Sequence, residues 1–141
     1  MTPKQIEQVQ DTWDFAILNA PKAAEIFYNR LFEIDPKLRS LFKKDNMASQ
    51  EQKLTSMITF IVHKLNNLNE VVKDIKALGE RHRNYKVLPE YYNTVGAALL
   101  WTLEQALGPK WNDEVREAWT KVYTILSSTM IEAASDRSKV A

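Results

Sequence analysis

Apolar residues recur along this chain at spacings of three and four, the rhythm of helices that bury one face. Ile6, Val9, Trp13 and Ile17 fall on one side of a first helix. Thr2-Pro3-Lys4-Gln5 just before them is a start signal. It offers a capping hydroxyl, a proline suited to the first helical position, and a glutamine able to cap in return. This helix should end before Pro21. A second is expected from about Lys22 to Glu33, with Ala24, Phe27, Tyr28 and Leu31 on one side. Asp35-Pro36 then forces a turn, because the residue before a proline is pushed out of helical conformation. Leu38, Leu41 and Phe42 predict a short helical turn after it.

Lys43 to Ala48 reads as a loop, and Ser49 is placed to cap the next helix, with Gln52 three residues on. Leu54, Met57, Ile58, Ile61, Val62 and Leu65 carry that helix's apolar face until Asn66 to Asn69 break the pattern. Val71, Ile75, Leu78 and His82 share the face of the following helix. Leu88-Pro89-Glu90 starts another, carrying Tyr92, Val95, Gly96, Leu99, Leu103 and Ala106, which Gly108-Pro109 stops. Asn112, Asp113 and Glu114 open the last helix, where acids suit the positive end of the dipole. Its face runs through Val115, Ala118, Trp119, Val122, Leu126, Thr129, Met130 and Ala133. The polar tail, 135–141, is expected to fray. The pattern predicts an all-α protein of about six substantial helices plus short turns. Several helices are apolar over a broad arc, which suits a layered helical domain better than a two-helix rod. Periodicity does not separate a plain bundle from one built around a flat apolar cofactor.

Composition narrows the picture. A chain of 141 residues is the size of a single domain, here 1–141, with a real core. Three glycines and five prolines are too few for a sheet-rich fold with many tight turns. Lys+Arg 19 against Asp+Glu 18 gives no electrostatic footprint for nucleic acid. No apolar run approaches the roughly 18 residues of a membrane-spanning helix, so no membrane span is expected. The start, Met1-Thr2-Pro3-Lys4-Gln5, lacks the apolar core of a signal peptide, and a cytoplasmic location is the expectation. Without cysteine there is neither a disulfide framework nor a thiolate metal site. That leaves two histidines. His82 lies on an apolar helix face and is the best candidate ligand for a redox-active metal cofactor; the alternative is a core histidine bonded to backbone. His63 lies more than two turns past Leu54 and reads as partly exposed, with no ligand role. Met47, Met57 and Met130 are thioethers better suited to filling gaps in the core than to ligating metal.

The ordered set of motifs resembles the globin family. Phe27-Tyr28, Asp35-Pro36 and Leu41-Phe42 look like the second helix, short third helix and loop phenylalanine of globins. Gln50-Glu51-Gln52-Lys53-Leu54 looks like the distal helix of bacterial globins. Leu78-Gly79-x-x-His82, Tyr85-x-Val87 and Pro89-x-x-Tyr92-x-x-Val95-Gly96 look like the proximal helix and the start of the next. Ala118-Trp119-x-Lys121-x-Tyr123 looks like the final helix. The likeness covers nearly the whole chain and is nearest to bacterial single-domain haemoglobins and the haem domain of flavohaemoglobins.

The resemblance implies a globin fold with haem b (iron protoporphyrin IX) between the distal and proximal helices. His82 would be the iron ligand through Nε2, leaving the sixth position to a diatomic gas. Its Nδ1–H should donate to the Leu78 carbonyl one turn back, fixing the tautomer. Phe42 would pack flat on the haem, Val87 and Val95 would line its proximal edge, and Leu54 would keep the distal face dry. Tyr28 and Gln50 are the chemically informative pair, because a phenol and an amide can both donate to an oxygen ligand that takes on negative charge. Tyr28 has a core role as its alternative, with the hydroxyl satisfied elsewhere, and Gln50, near a helix start, has solvent as its alternative. Lys53, Arg81 and Lys86 are charged residues that could meet haem propionates or remain solvated.

Two departures from the flavohaemoglobin pattern matter. Tyr92 matches a proximal tyrosine that pairs there with a glutamate on the last helix, but the matching position here is Ala134, with Glu132 two residues away on a different face. Without a carboxylate beside the imidazole, the proximal side looks like that of an oxygen carrier, and Tyr92 reads as structural. The chain also lacks a Gly-rich nucleotide fingerprint, so an electron source would be a separate reductase. The expected function is reversible binding of O2, with NO and CO as further ligands, high oxygen affinity, and nitric oxide dioxygenation when a reductase is supplied. A haem-free globin-fold interaction module, or a gas sensor acting through a partner, are the alternatives.

Overall fold

The computed structural model describes residues 1–42, 47–84 and 88–140. Six α-helices carry the chain: α1 (Pro3–Ala16), α2 (Ala20–Ile34), α3 (Met47–His63), α4 (Val72–Asn84), α5 (Tyr91–Leu107) and α6 (Asp113–Val140). Short 3-10 turns join or extend them at Ile17–Asn19, Pro36–Leu41, Leu65–Glu70 and Gly108–Lys110. Among the described residues there is no strand, and no helix is long and apolar enough to cross a membrane.

The signals at the helix ends act as their chemistry requires. The Thr2 hydroxyl accepts from the Gln5 amide at 3.1 Å while the Gln5 side chain accepts from the Thr2 amide at 3.0 Å, which satisfies two orphan donors of the first turn. The Asn112 side chain accepts from the Val115 amide at 2.9 Å and starts α6. Gly108 ends α5 at φ +52°, a conformation that side-chain-bearing residues rarely adopt. One of the expected caps differs from the sequence pattern. Ser49 does not cap α3, because that helix starts at Met47 and places Ser49 inside its first turn. The first helix does end before Pro21, at Ala16, and Pro21 sits in the first turn of α2, where its missing N–H has no helical partner to lose. The last helix also continues past Ser135 to Val140.

Packing sets the positions of the functional elements. Helix α4 lies along α6, α3 lies on α1 and α2, and α5 packs against α2. Trp13, Phe27, Leu31, Leu103 and Trp119 form the centre of the main core. Both indoles there find partners across helices. The Trp119 Nε1–H donates to the Thr12 hydroxyl at 2.9 Å, and the Trp13 Nε1–H donates to the Thr59 hydroxyl at 2.8 Å. Gln10 adds a second tie between α1 and the end of α3, donating to the Val62 carbonyl at 3.0 Å and to Asn66 at 2.9 Å. These bonds hold α3 in register on α1.

Candidate functional site

Tyr28 lies on the buried face of α2, one helical turn before Phe32, and both rings meet Phe42 from the end of the Pro36–Leu41 turn. The Tyr28 and Phe42 rings stand edge to face with centroids 5.3 Å apart. Phe32 lies 5.7 Å from Phe42, and Phe27 lies 5.0 Å from Tyr28, also edge to face. Such T-shaped contacts fix a ring's direction as well as burying it. The Tyr28 ring is only 6 % exposed, yet its hydroxyl has no hydrogen-bond partner among the described residues. Burial, reinforced by the nearby Glu51 carboxylate, pushes the phenol up to about 12, so it keeps its proton.

Facing this cluster is the first half of α3. Leu54 is half-buried and packs against the main core together with Phe42 and Val95. Gln50 is also half-buried, and its amide has no hydrogen-bond partner among the described residues. Lys53 is exposed. Beside Leu54 and Ile58 a cavity of about 20 Å³ is walled by Trp13, Phe27, Leu99 and Leu103. Further along the same helix, the His63 Nε2 meets the Asp14 carboxylate at 3.0 Å, with both side chains more than half exposed. That agrees with a surface role for His63.

The opposite wall comes from α4. His82 is half-buried, and its Nδ1 lies 2.8 Å from the Leu78 carbonyl. A carbonyl only accepts, so Nδ1 carries the proton and Nε2 holds the lone pair that a metal would use. Burial lowers the histidine's pKa more than the Leu78 bond raises it, and the Arg81 charge lowers it further. The imidazole is therefore neutral at ordinary pH, the form that ligates metal. The Tyr92 ring lies 6.5 Å from the His82 ring. Val95 is half-buried one turn further along α5. Val87 and Lys86 lie outside the described residues, and Arg81 is exposed. On α6, Ala134 is half-buried and Glu132 is exposed.

Two contributors were given no site role from the sequence. Phe32 completes the aromatic cluster, and its spacing of four from Tyr28 was a legible signal. Tyr123 of α6 donates its hydroxyl to the Tyr92 carbonyl, with its ring lying against Gly96 of α5. Only the packing of α6 reveals that contact.

The distal and proximal helices, α3 and α4, do not pack extensively on each other, and the apolar side chains around the space between them are half-buried rather than sealed. A family model described as Globin matches residues 25–130, more than two thirds of the chain. The chain belongs to the globin family. Its similarity extends to a flavohemoprotein of Bacillus subtilis (strain 168), 25 % identical over 94 % of this chain, of whose length it spans only 34 %. It is also similar to an anaerobic nitrite reductase of Solanum lycopersicum, 29 % identical over 92 % of both chains. Among solved structures, a bacterial globin from Campylobacter jejuni superposes with a TM-score of 0.86 at 23 % identity, covering 98 % of this chain and 99 % of that one. That likeness shows the globin fold. As a globin the protein is expected to carry haem and to bind small gases, and the residues present fit that group. A neutral imidazole stands on α4, a buried tyrosine whose hydroxyl has no hydrogen-bond partner among the described residues stands on α2, and α3 and α4 are not packed extensively on each other.

Proposed function

We propose that this globin holds haem b between α3 and α4, with the Nε2 of His82 as the iron ligand, and that it binds O2 reversibly with high affinity. When bound, ferrous haem supplies reversible coordination of O2, NO or CO and the redox chemistry that converts O2 and NO to nitrate. The observation that carries the proposal is Tyr28, a buried residue of α2 whose protonated hydroxyl makes no hydrogen bond among the described residues and so remains available to donate. A hydrogen bond from this hydroxyl to an oxygen ligand with partial negative charge would contribute about 1.5–3 kcal/mol.

The chain's residues divide the work. Tyr28 donates to the gas, and its phenol stays protonated because its pKa lies near 12. Gln50 is the second donor. Leu54 and Ile58 keep water from the gas side, and the apolar cavity beside them is about the smallest space that accommodates a water-sized molecule. Phe42 would pack on the haem face, and Val95 would line its proximal edge. Leu78 holds the His82 ring in the tautomer that offers Nε2. Tyr92 supports the ring from behind, and Ala134 brings no carboxylate to it, which favours carriage of oxygen over peroxide chemistry. Nitric oxide dioxygenation is the finer activity the same site suits; it needs electrons from a reductase.

The absorption spectrum of protein expressed with ample haem tests the assignment. Reduced protein should show a strong Soret band that shifts with carbon monoxide, and His82→Ala should lose stable haem. A colourless protein that refuses added haem would leave a haem-free interaction module as the better account. A gas-dependent change in binding to another protein would instead favour a sensor.

A further inference from the structure

Gly79 stands one turn before His82 on α4, where that helix crosses α6. A Cβ built on Gly79 would lie 2.5 Å from the Met130 carbonyl oxygen, 2.7 Å from its Cα and 2.9 Å from its carbonyl carbon, all below the 3.0 Å that real Cβ contacts respect. Every obstructing atom is backbone, so no side chain can swing aside. Any residue other than glycine must move α4 away from α6 by about 1 Å to reach van der Waals contact. The neighbouring glycine contact is of a different kind. A Cβ at Gly96 would meet the Tyr123 ring, at 2.7 Å, rather than a backbone.

We propose that Gly79 is a positioning residue for the proximal ligand: backbone contact between Gly79 and Met130 sets how far α4, and with it the His82 ring, stands from the haem. The inference rests on His82 being the iron ligand. The Leu78 carbonyl bond to His82 lies within α4 and travels with the helix. A change at Gly79 therefore moves the imidazole without altering its tautomer or its hydrogen bond. Met130 also has a buried side chain, which packs with Ile75 and Leu78 in a second small core, but that side chain is not the stop. The carbonyl and Cα of Met130 are.

Resonance Raman spectroscopy of the ferrous, gas-free protein reads the iron–histidine stretching band directly. Gly79→Ala should displace the band and change the carbon monoxide association rate roughly tenfold, a scale consistent with an ångström-sized misplacement. Met130→Ala removes the side chain and keeps the backbone stop, so it should lower stability and leave the band in place. An unchanged band in haem-loaded Gly79→Ala would overturn the inference. A band displaced by Met130→Ala would overturn it too, since side-chain packing would then set the position, and this arm holds even if Gly79→Ala does not fold. If the wild-type protein binds haem but shows no iron–histidine band, the assignment of His82 fails first and the role of Gly79 falls with it.

Discussion

A phenol is a useful donor only while it keeps its proton, and Tyr28 is placed to keep it. Both influences on it act in the same direction: the buried ring disfavours a phenolate, and Glu51 repels one. With the pKa raised to about 12, the difference in oxygen release between wild type and Tyr28→Phe should stay constant from about pH 6 to about pH 9. Stopped-flow release measured across that range checks it; a difference that fades near neutrality would mean the hydroxyl is ionising and is not the donor. Tyr28, His82 and the Leu78 carbonyl were legible in the sequence because each relation is local, a residue on an apolar face or a bond one turn back along a helix. Gln50 was not, because its direction depends on where α3 starts, and that helix starts before the serine that looked like its cap. Tyr123 was not, because its partner lies 31 residues away on another helix.

At the scale of elements, the sequence spells out ends better than contacts. Thr2 and Asn112 were readable as caps, since a hydroxyl or amide placed before an apolar run has one obvious donor to satisfy. Asn112 governs the start of α6, the helix on which α4 rests. Asn112→Ala should therefore lower stability by about 1 kcal/mol while leaving the carbon monoxide spectrum unchanged. Urea unfolding followed in parallel with the visible spectrum measures both; no change in the unfolding midpoint would mean that the cap contributes nothing in the folded protein. The crossing of α4 and α6 was not readable. Leu78-Gly79-x-x-His82 shows a glycine beside a histidine, but only the approach of the Met130 backbone shows why a side chain does not fit there.

At the scale of the whole molecule these local devices share one property, burial in a helical core. The same burial that keeps the tyrosines neutral makes the fold sensitive to alkali. Tyr28, Tyr92 and Tyr123 are all raised above the ordinary value of 10, chiefly by burial. Above pH 10 the unfolded chain loses phenol protons that the folded protein retains, so stability is full below that pH and falls as pH climbs toward 12. The urea midpoint should decline through that window, and Tyr28→Phe should flatten part of the decline. A midpoint that declines equally in both proteins would contradict the buried, neutral state assigned to Tyr28.

The most direct test of the central claim compares two gases at one residue. Oxygen accepts a hydrogen bond strongly and carbon monoxide weakly, so a donor at Tyr28 must separate them. A charge-assisted bond contributes about 1.5–3 kcal/mol, so Tyr28→Phe should speed oxygen release tenfold or more while carbon monoxide release changes little. Equal acceleration of both gases, or of neither, would contradict a distal hydrogen bond from Tyr28.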